Sequence, residues 1–243
     1  PILVGGVLIL VLALVLMLVM PEQGFRPASR RDRSSWQMLR GTFRDGVTAV
    51  RRQPALLRLF AITAFFGAHS EGIDRLWEAH LLANFRFPSL GTFKPVVWFG
   101  ILQVATGLAT LLVAEVAVRR LDINDRRRMV PRLILLNALI VGSVVTIGLA
   151  GSFWLVVGAF LATAVLKTLY GPIYRAWLNR HVSSRVRATV LSMNGQADAL
   201  GQFVGGPATG VIGTLLSLRA ALVASGSMLA PTLLLYRGST RQE

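Results

Sequence analysis

Seven long apolar runs dominate the chain: Ile2–Met20, Ala55–Leu82, Pro95–Val118, Leu133–Ala150, Ser152–Tyr174, Ala188–Leu216 and Leu218–Tyr236. Crossing about 30 Å of hydrocarbon takes roughly 20 helical residues, and the runs are of that order. They do not alternate with a period of two, and lipid permits little besides helices and closed barrels. Each run therefore predicts a transmembrane helix. Gly151-Ser152 and Ser217 punctuate two junctions as tight turns. The expected architecture is all-α, a polytopic membrane bundle of seven transmembrane helices. Between Ser34 and Arg52 the chain is too charged to cross. There Trp36, Leu39, Phe43, Val47 and Val50 recur at helical spacing opposite an Arg-rich side, which predicts a helix lying on the membrane surface.

Composition agrees: 53% of residues are apolar and 15% charged, against about 25% charged in a soluble domain. A mean hydropathy of +0.59 excludes intrinsic disorder. With no cysteine there is no disulfide framework and no thiolate metal site. A net charge of +15 would suit nucleic acid, but the basic residues are not spread over one face. Eight lie between Met20 and Arg52, six between Arg119 and Arg132, and four between Arg175 and Arg187. The intervening connections hold Arg86 and Lys94, nothing at Gly151-Ser152, and Arg219 near Ser217. Alternation in step with the apolar runs is the positive-inside pattern. The expected partner is the lipid bilayer, not nucleic acid. Segments 21–54, 119–132 and 175–187 and the tail carrying Arg237 and Arg241 are placed in the cytoplasm. Seven spans with the C-terminus inside put Pro1 outside, so the sequence reads as a fragment preceded by an odd number of spans. Twenty-four arginines against two lysines fit a GC-rich bacterial source, hence a bacterial plasma membrane.

One span, a long basic segment with a surface helix, then six more spans: this order resembles the second half of a major facilitator superfamily transporter. The run Gly201-Gln202-Phe203-Val204-Gly205-Gly206-Pro207-Ala208-Thr209-Gly210 resembles the glycine–proline motif of that family's antiporters. Glu115 to Arg128 occupies the place of the family's cytoplasmic Gly-x-x-x-Asp-Arg-x-Gly-Arg-Arg signature. It keeps Arg119-Arg120, Asp122, Asp125 and Arg126-Arg127-Arg128 but none of the glycines. The resemblance divides the chain into the last span of an N-terminal bundle (1–20), a cytoplasmic linker (21–54), a C-terminal six-helix bundle (55–236) and a tail (237–243). It implies alternating-access transport of a small molecule, with protons and the N-terminal bundle of the same chain as partners and no cofactor. Proton-coupled efflux of a drug or metabolite is the preferred direction; coupled uptake or uniport is the alternative.

Ionisable groups inside spans cost at least about 2.5–3.5 kcal/mol each on insertion scales, so function is sought there. In the second span Glu71, Asp74, Arg75 and Glu78 share one helical face. Glu71 lies about 24 Å in from Ala55, near the outer end. A crowded acidic cluster suits a proton-accepting vestibule; the alternative is that Gly72 ends the membrane helix and the charges are solvated. In the sixth span Asn194, Asp198, Gly201, Gln202 and Gly205 form a stripe, with Asp198 about 15 Å beyond Ala188, at the bilayer midplane. In the fifth span Thr163, Lys167, Tyr170, Gly171 and Tyr174 share a face, with Lys167 about 12 Å from the inner end. Lys167 and Asp198 are thus expected to pair or to come within a water of pairing, either as a static salt bridge or as a proton-driven switch. Asp198, Glu71, Asp74 and Glu78 are the proton-coupling candidates. Lys167, Tyr170, Tyr174, Asn194, Gln202 and Arg75 are the cavity candidates, the tyrosines as aromatic, hydrogen-bonding walls. Gly171 with Pro172, and Gly201, Gly205, Gly206 and Gly210 with Pro207, are assigned to close packing and kinking.

Two other classes compete. His69, Glu71, Glu78 and His80 fall within twelve residues, and Glu71-x-x-x-Arg75 is faintly similar to glutamate-type intramembrane proteases. The remaining histidine, His181, sits in a cytoplasmic segment, so no further metal ligand is in reach and no enzyme is expected. A transporter-like scaffold would have no use for ionisable stripes. The absence of a Gly-x-x-x-x-Gly-Lys loop leaves an ion gradient or the substrate's own gradient as the driving force.

Overall fold

The computed structural model describes residues 2–19, 40, 41, 44, 48, 54–92, 94–120, 126–182 and 187–239. Every expected apolar run is helical. The surface helix expected over 34–52 lies outside the described residues except at Arg40, Gly41, Arg44 and Thr48, which are helical. Residues 121–125, within the Glu115–Arg128 segment, also lie outside, as do 183–186 and the last residues of the tail.

The chain forms two units, Pro1–Arg40 and Gly41–Glu243. In the first, α1 (Ile2–Val19) is apolar around its whole circumference and its described side chains are largely exposed. A helix greasy on every side is one made for lipid or a large core.

The second unit holds α2 (Pro54–Asn84), α3 (Val97–Arg120), α4 (Arg126–Leu149), α5 (Phe153–Arg180), α6 (Arg187–Leu215), α7 (Leu218–Met228) and α8 (Pro231–Ser239). The two expected turns are built as helix caps. Ser152 accepts from the Leu155 amide at 3.3 Å and Ser217 from the Ala220 amide at 3.1 Å, satisfying donors that the first helical turn leaves open. Between α2 and α3 the chain reverses through Gly91, whose φ of 62° is left-handed and suits glycine. Trp98 then donates to the Pro88 carbonyl at 2.9 Å.

One expectation is corrected here. The run Leu218–Tyr236 is not a single uninterrupted helix. It turns at Leu229-Ala230, where the amides bond Gly226 and Ser227 three residues back, and Pro231, which has no N–H to donate, opens α8.

Helix α2 packs on α6 and α7, α4 on α5 and α7, and α3 on α5, while α8 lies against α2 and α4. Exchanging the set α2, α3, α4 with the set α5, α6, α7 maps α2 on α6 to α5 on α3, and α4 on α5 to α7 on α2. That reciprocity is what two three-helix repeats produce. Leu59, Ile62, Leu133, Ile140, Ile147, Leu222 and Leu229 form the dry centre. Buried polar groups pin the helices together. His69 Nδ1 lies 3.0 Å from the Ser225 carbonyl, and Ser225 donates to the His69 carbonyl at 2.7 Å. His80 Nε2 lies 3.0 Å from the Ile147 carbonyl, and Asn137 donates to Thr232 at 3.2 Å.

Four segments are long and apolar enough to cross a membrane: Val97–Ala117, Arg128–Leu149, Phe153–Arg180 and Leu218–Gly238. The described apolar stretch of α1, Gly5–Val19, is shorter. Helices α2 and α6 have the length and not the hydropathy, because they carry the polar stripes.

Candidate functional site

Where α2, α5 and α6 diverge they enclose a cavity of about 530 Å³. Its wall includes Lys167, Tyr170, Gly171, Tyr174 and Arg175 of α5, Asn194 and Asp198 of α6, and Thr63 and Phe66 of α2. The two polar stripes therefore do converge. Lys167 and Asp198 also meet α2 at adjacent residues. The Lys167 ammonium stands 5.9 Å from the centroid of the Phe66 ring, and the next residue, Gly67, abuts the Asp198 backbone carbonyl.

That close approach is the reason for the glycines. A Cβ at Gly67, Gly201 or Gly205 would overlap the backbone of the facing helix, at Asp198, Ala64 and Ala68 respectively. Gly72 is similarly filled, by Ser225 and Thr209 at 2.8 Å. Gly171 and Gly210 correct the expectation of close packing: a Cβ at either meets nothing within 4 Å, and Gly171 borders the cavity instead. At Gly206 the neighbour is the Glu71 side chain.

The expected Lys167–Asp198 pair is not formed. Lys167 Nζ lies 3.7 Å from Asp74 Oδ1, an ion-pair distance longer than a hydrogen bond. Asp198 Oδ2 instead accepts from Gln202 Nε2 at 2.8 Å. Glu71 pairs with Arg75 one turn away. The four charges on one face of α2 thus separate by neighbour. Asp74 turns to α5, Glu71 and Arg75 turn to α6, and Glu78 is exposed and borders neither that cavity nor the pocket that Glu71 and Arg75 line. That second pocket, of about 480 Å³, is lined by Glu71 and Arg75 with Gln202, Gly206 and Pro207. Gln202 and Arg75, expected in the substrate cavity, belong to it.

The aromatic wall is a ladder. Phe66 stacks on Tyr170 at 4.9 Å and Tyr170 on Tyr174 at 5.5 Å. The tyrosine hydroxyls, expected to face a ligand, are used within the protein. Tyr170 bonds Tyr236 at 2.7 Å. Tyr174 donates to the Leu59 carbonyl at 2.9 Å and lies 2.6 Å from the Thr63 hydroxyl, which donates to Asn194 Oδ1 at 2.8 Å. Their rings are wall, and their oxygens brace α5 against α2, α6 and α8. Lys167, Arg175, Asn179, Asn194 and Asp198 remain as the polar groups lining the cavity.

Arg175 and Asn179, in the segment 175–187 expected as a cytoplasmic connection, are helical and also line the cavity; the stripe Lys167, Gly171, Arg175, Asn179 continues at i+4 into the last turns of α5. Thr63 and Phe66 had the same kind of signal, two turns before Ser70 and Asp74 respectively. His69 and His80 are buried and bonded to carbonyls of other helices. Among the described residues no three His, Asp or Glu side chains gather as a metal site.

Neither a protein-family model nor a curated protein matches the sequence. Solved structures do. The crystal structure of the human organic anion transporter MFSD10 (TETRAN) superimposes with a TM-score of 0.64 over 74% of this chain, at 15% identity. The fold is major-facilitator-like. The chain spans 40% of the length of that transporter.

Proposed function

We propose that this chain supplies the cavity-bearing C-terminal bundle of a membrane transporter that moves a small organic anion by alternating access, coupled to protons. One observation carries the reading: an ammonium and a carboxylate line one aromatic-walled cavity, and neither is neutralised by the other. A carboxylate or sulfonate suits Lys167 with Arg175 beyond it, and a flat apolar body suits the Phe66–Tyr170–Tyr174 wall. The structural neighbour's name, an organic anion transporter, supports the same substrate class. An N-terminal bundle of the same protein completes the cavity, and the two rock about it.

Asp198 is the proton site in this reading. Its sign follows from charge. A neutral Asp198 removes a carboxylate charge from the cavity that Lys167 and Arg175 also line, so proton and anion bind together. That favours cotransport of an anion. Antiport, the direction implied by the resemblance of Gly201–Gly210, needs a cationic substrate that competes with the proton at Asp198.

The test uses the intact protein in liposomes, with fluorescent 2-naphthoate as the probe and a pH gradient as the driving force. Acid on the probe's side accelerates its entry. Asp198→Asn abolishes that acceleration and keeps naphthoate exchange at equal pH, while Lys167→Met loses binding. Gradient-independent flux in the wild type, or full binding by Lys167→Met, rejects the proposal.

A further inference from the structure

The pocket around Glu71 has no part in holding the substrate as proposed above, yet one of its lining residues, Gln202, bonds the Asp198 carboxylate. Along α6 the residues of the first cavity run from Leu191 through Asn194 to Asp198, and those of the second from Ala199 through Gln202 to Pro207. Along α2 the order is the same, Thr63 and Phe66 in the first and Glu71 and Arg75 in the second. The two spaces are successive stretches of one groove. The first runs toward the α5–α6 connection, the basic end of the bundle, and the second toward the Ser217 turn, the sparsely charged end.

What divides them is thin. The glycine contacts of α2 with α6 close the backbone between them, at Gly67, Gly201 and Gly205. The remaining polar link is the 2.8 Å hydrogen bond from Gln202, which lines the second pocket, to Asp198, which lines the first. We infer that the Glu71 pocket is the opposite-end vestibule of the transport route, and that Gln202 is the positioning residue that closes Asp198 off from it. This rests on the reading of Asp198 as the proton site.

The chemistry suits a closure. The amide holds the carboxylate through Nε2–H, occupying the oxygen that a proton from the second pocket would reach. An amide does not pass protons along as a hydroxyl or carboxyl does. Water entering in place of Gln202 would join Asp198 to Glu71. The other charged and titratable groups around this junction are Asp74 and Arg75 on α2, and Lys167, Tyr174 and Arg175 on α5. His69 of α2 is turned to Ser225 of α7.

Two measurements on the intact protein in liposomes test it. Gln202→Ala is expected to create a substrate-independent proton leak, about tenfold above wild type, the worth of one hydrogen bond to a charged group. Adding Asp198→Asn to that variant removes the leak, which a merely misfolded protein would not do. Single thiols are also placed in this chain, which has no cysteine of its own, with any cysteine elsewhere in the intact protein replaced by serine. A membrane-impermeant thiol reagent should modify Gly195→Cys from one side of the bilayer and Ala199→Cys from the other, with 2-naphthoate protecting the first alone. No leak from Gln202→Ala, or labelling of both thiols from one side, overturns the closure while leaving the anion cavity standing. Failure of naphthoate to protect Gly195→Cys instead rejects the proposed function.

Discussion

The α2–α6 seam is where fold and function are most tightly joined, and Gly67→Ala tests it. An added Cβ would lie 3.0 Å from both the Asp198 carbonyl carbon and Oδ1, and closer still to the carbonyl oxygen. Ordinary contact begins near 3.4 Å. The opposing atoms are backbone and a short side chain, so they cannot swing away as the end of a lysine could. Helix α6 must move off by a good part of an ångström, at an overpacking cost of about 1–3 kcal/mol. Alanine returns up to about 1 kcal/mol of helix propensity, leaving a net loss of roughly 1–2 kcal/mol. For a unit of this size that is about 2–8 °C in melting temperature. Gly210→Ala is the matched control on α6: its Cβ meets nothing within 4 Å, so the propensity gain stands alone and the melting temperature should hold or rise slightly. The assay is thermal unfolding of the intact protein in detergent, with naphthoate binding measured beside it. Because Gly67 abuts Asp198, the first substitution also weakens binding or coupling, and the second does not. Equal melting temperatures for the two variants would refute the close approach.

Asp74→Asn should barely alter stability, because Asp74 is 68% exposed and its ion pair with Lys167 is screened. It should tighten naphthoate binding by up to about fivefold, since such a pair is worth at most about 1 kcal/mol; weaker binding would mean that Asp74 positions Lys167 and does not compete for it. Tyr236→Phe takes a partner from the Tyr170 hydroxyl outside the cavity wall. A loss of about 0.6–1.7 kcal/mol in stability with unchanged naphthoate affinity is expected, and a binding defect would place Tyr236 in the site.

The helices were legible because apolar runs of this length have few other fates, and Ser152 and Ser217 mark their starts with the chemistry of an N-cap. That Lys167 and Asp198 would border one space was legible too, because helical rise is constant and their helices share a short connection. What rise cannot supply is azimuth. Asp74 and Glu71 share a helical face in projection, yet a face wide enough for four charges meets two neighbours. Which acid met α5 and which met α6 depended on where the glycine seam set α2 against α6. The same seam decided that Gln202, one turn beyond Asp198 on the same stripe, belongs to a different pocket. The turn at Leu229-Ala230 had a visible cause in Pro231, masked by the uniform apolarity around it.

Lys167 sits within reach of one acid and shares a cavity with another, and the difference between those acids is the basis of the coupling proposed above. Asp74 is largely in solvent, so its charge is cheap to maintain and its hold on the ammonium is weak. Asp198 is half-buried against α2 and kept by Gln202, where a change of charge is felt at short range and little screened. An anion arriving at Lys167 therefore displaces little from Asp74, and its affinity is set chiefly by the state of Asp198. A strong Lys167–Asp198 bridge would have locked the site shut, because an incoming anion would have to break it in a poorly hydrated space. Separating the pair, and giving each member a weaker partner, leaves the cation open to substrate and the carboxylate open to the proton.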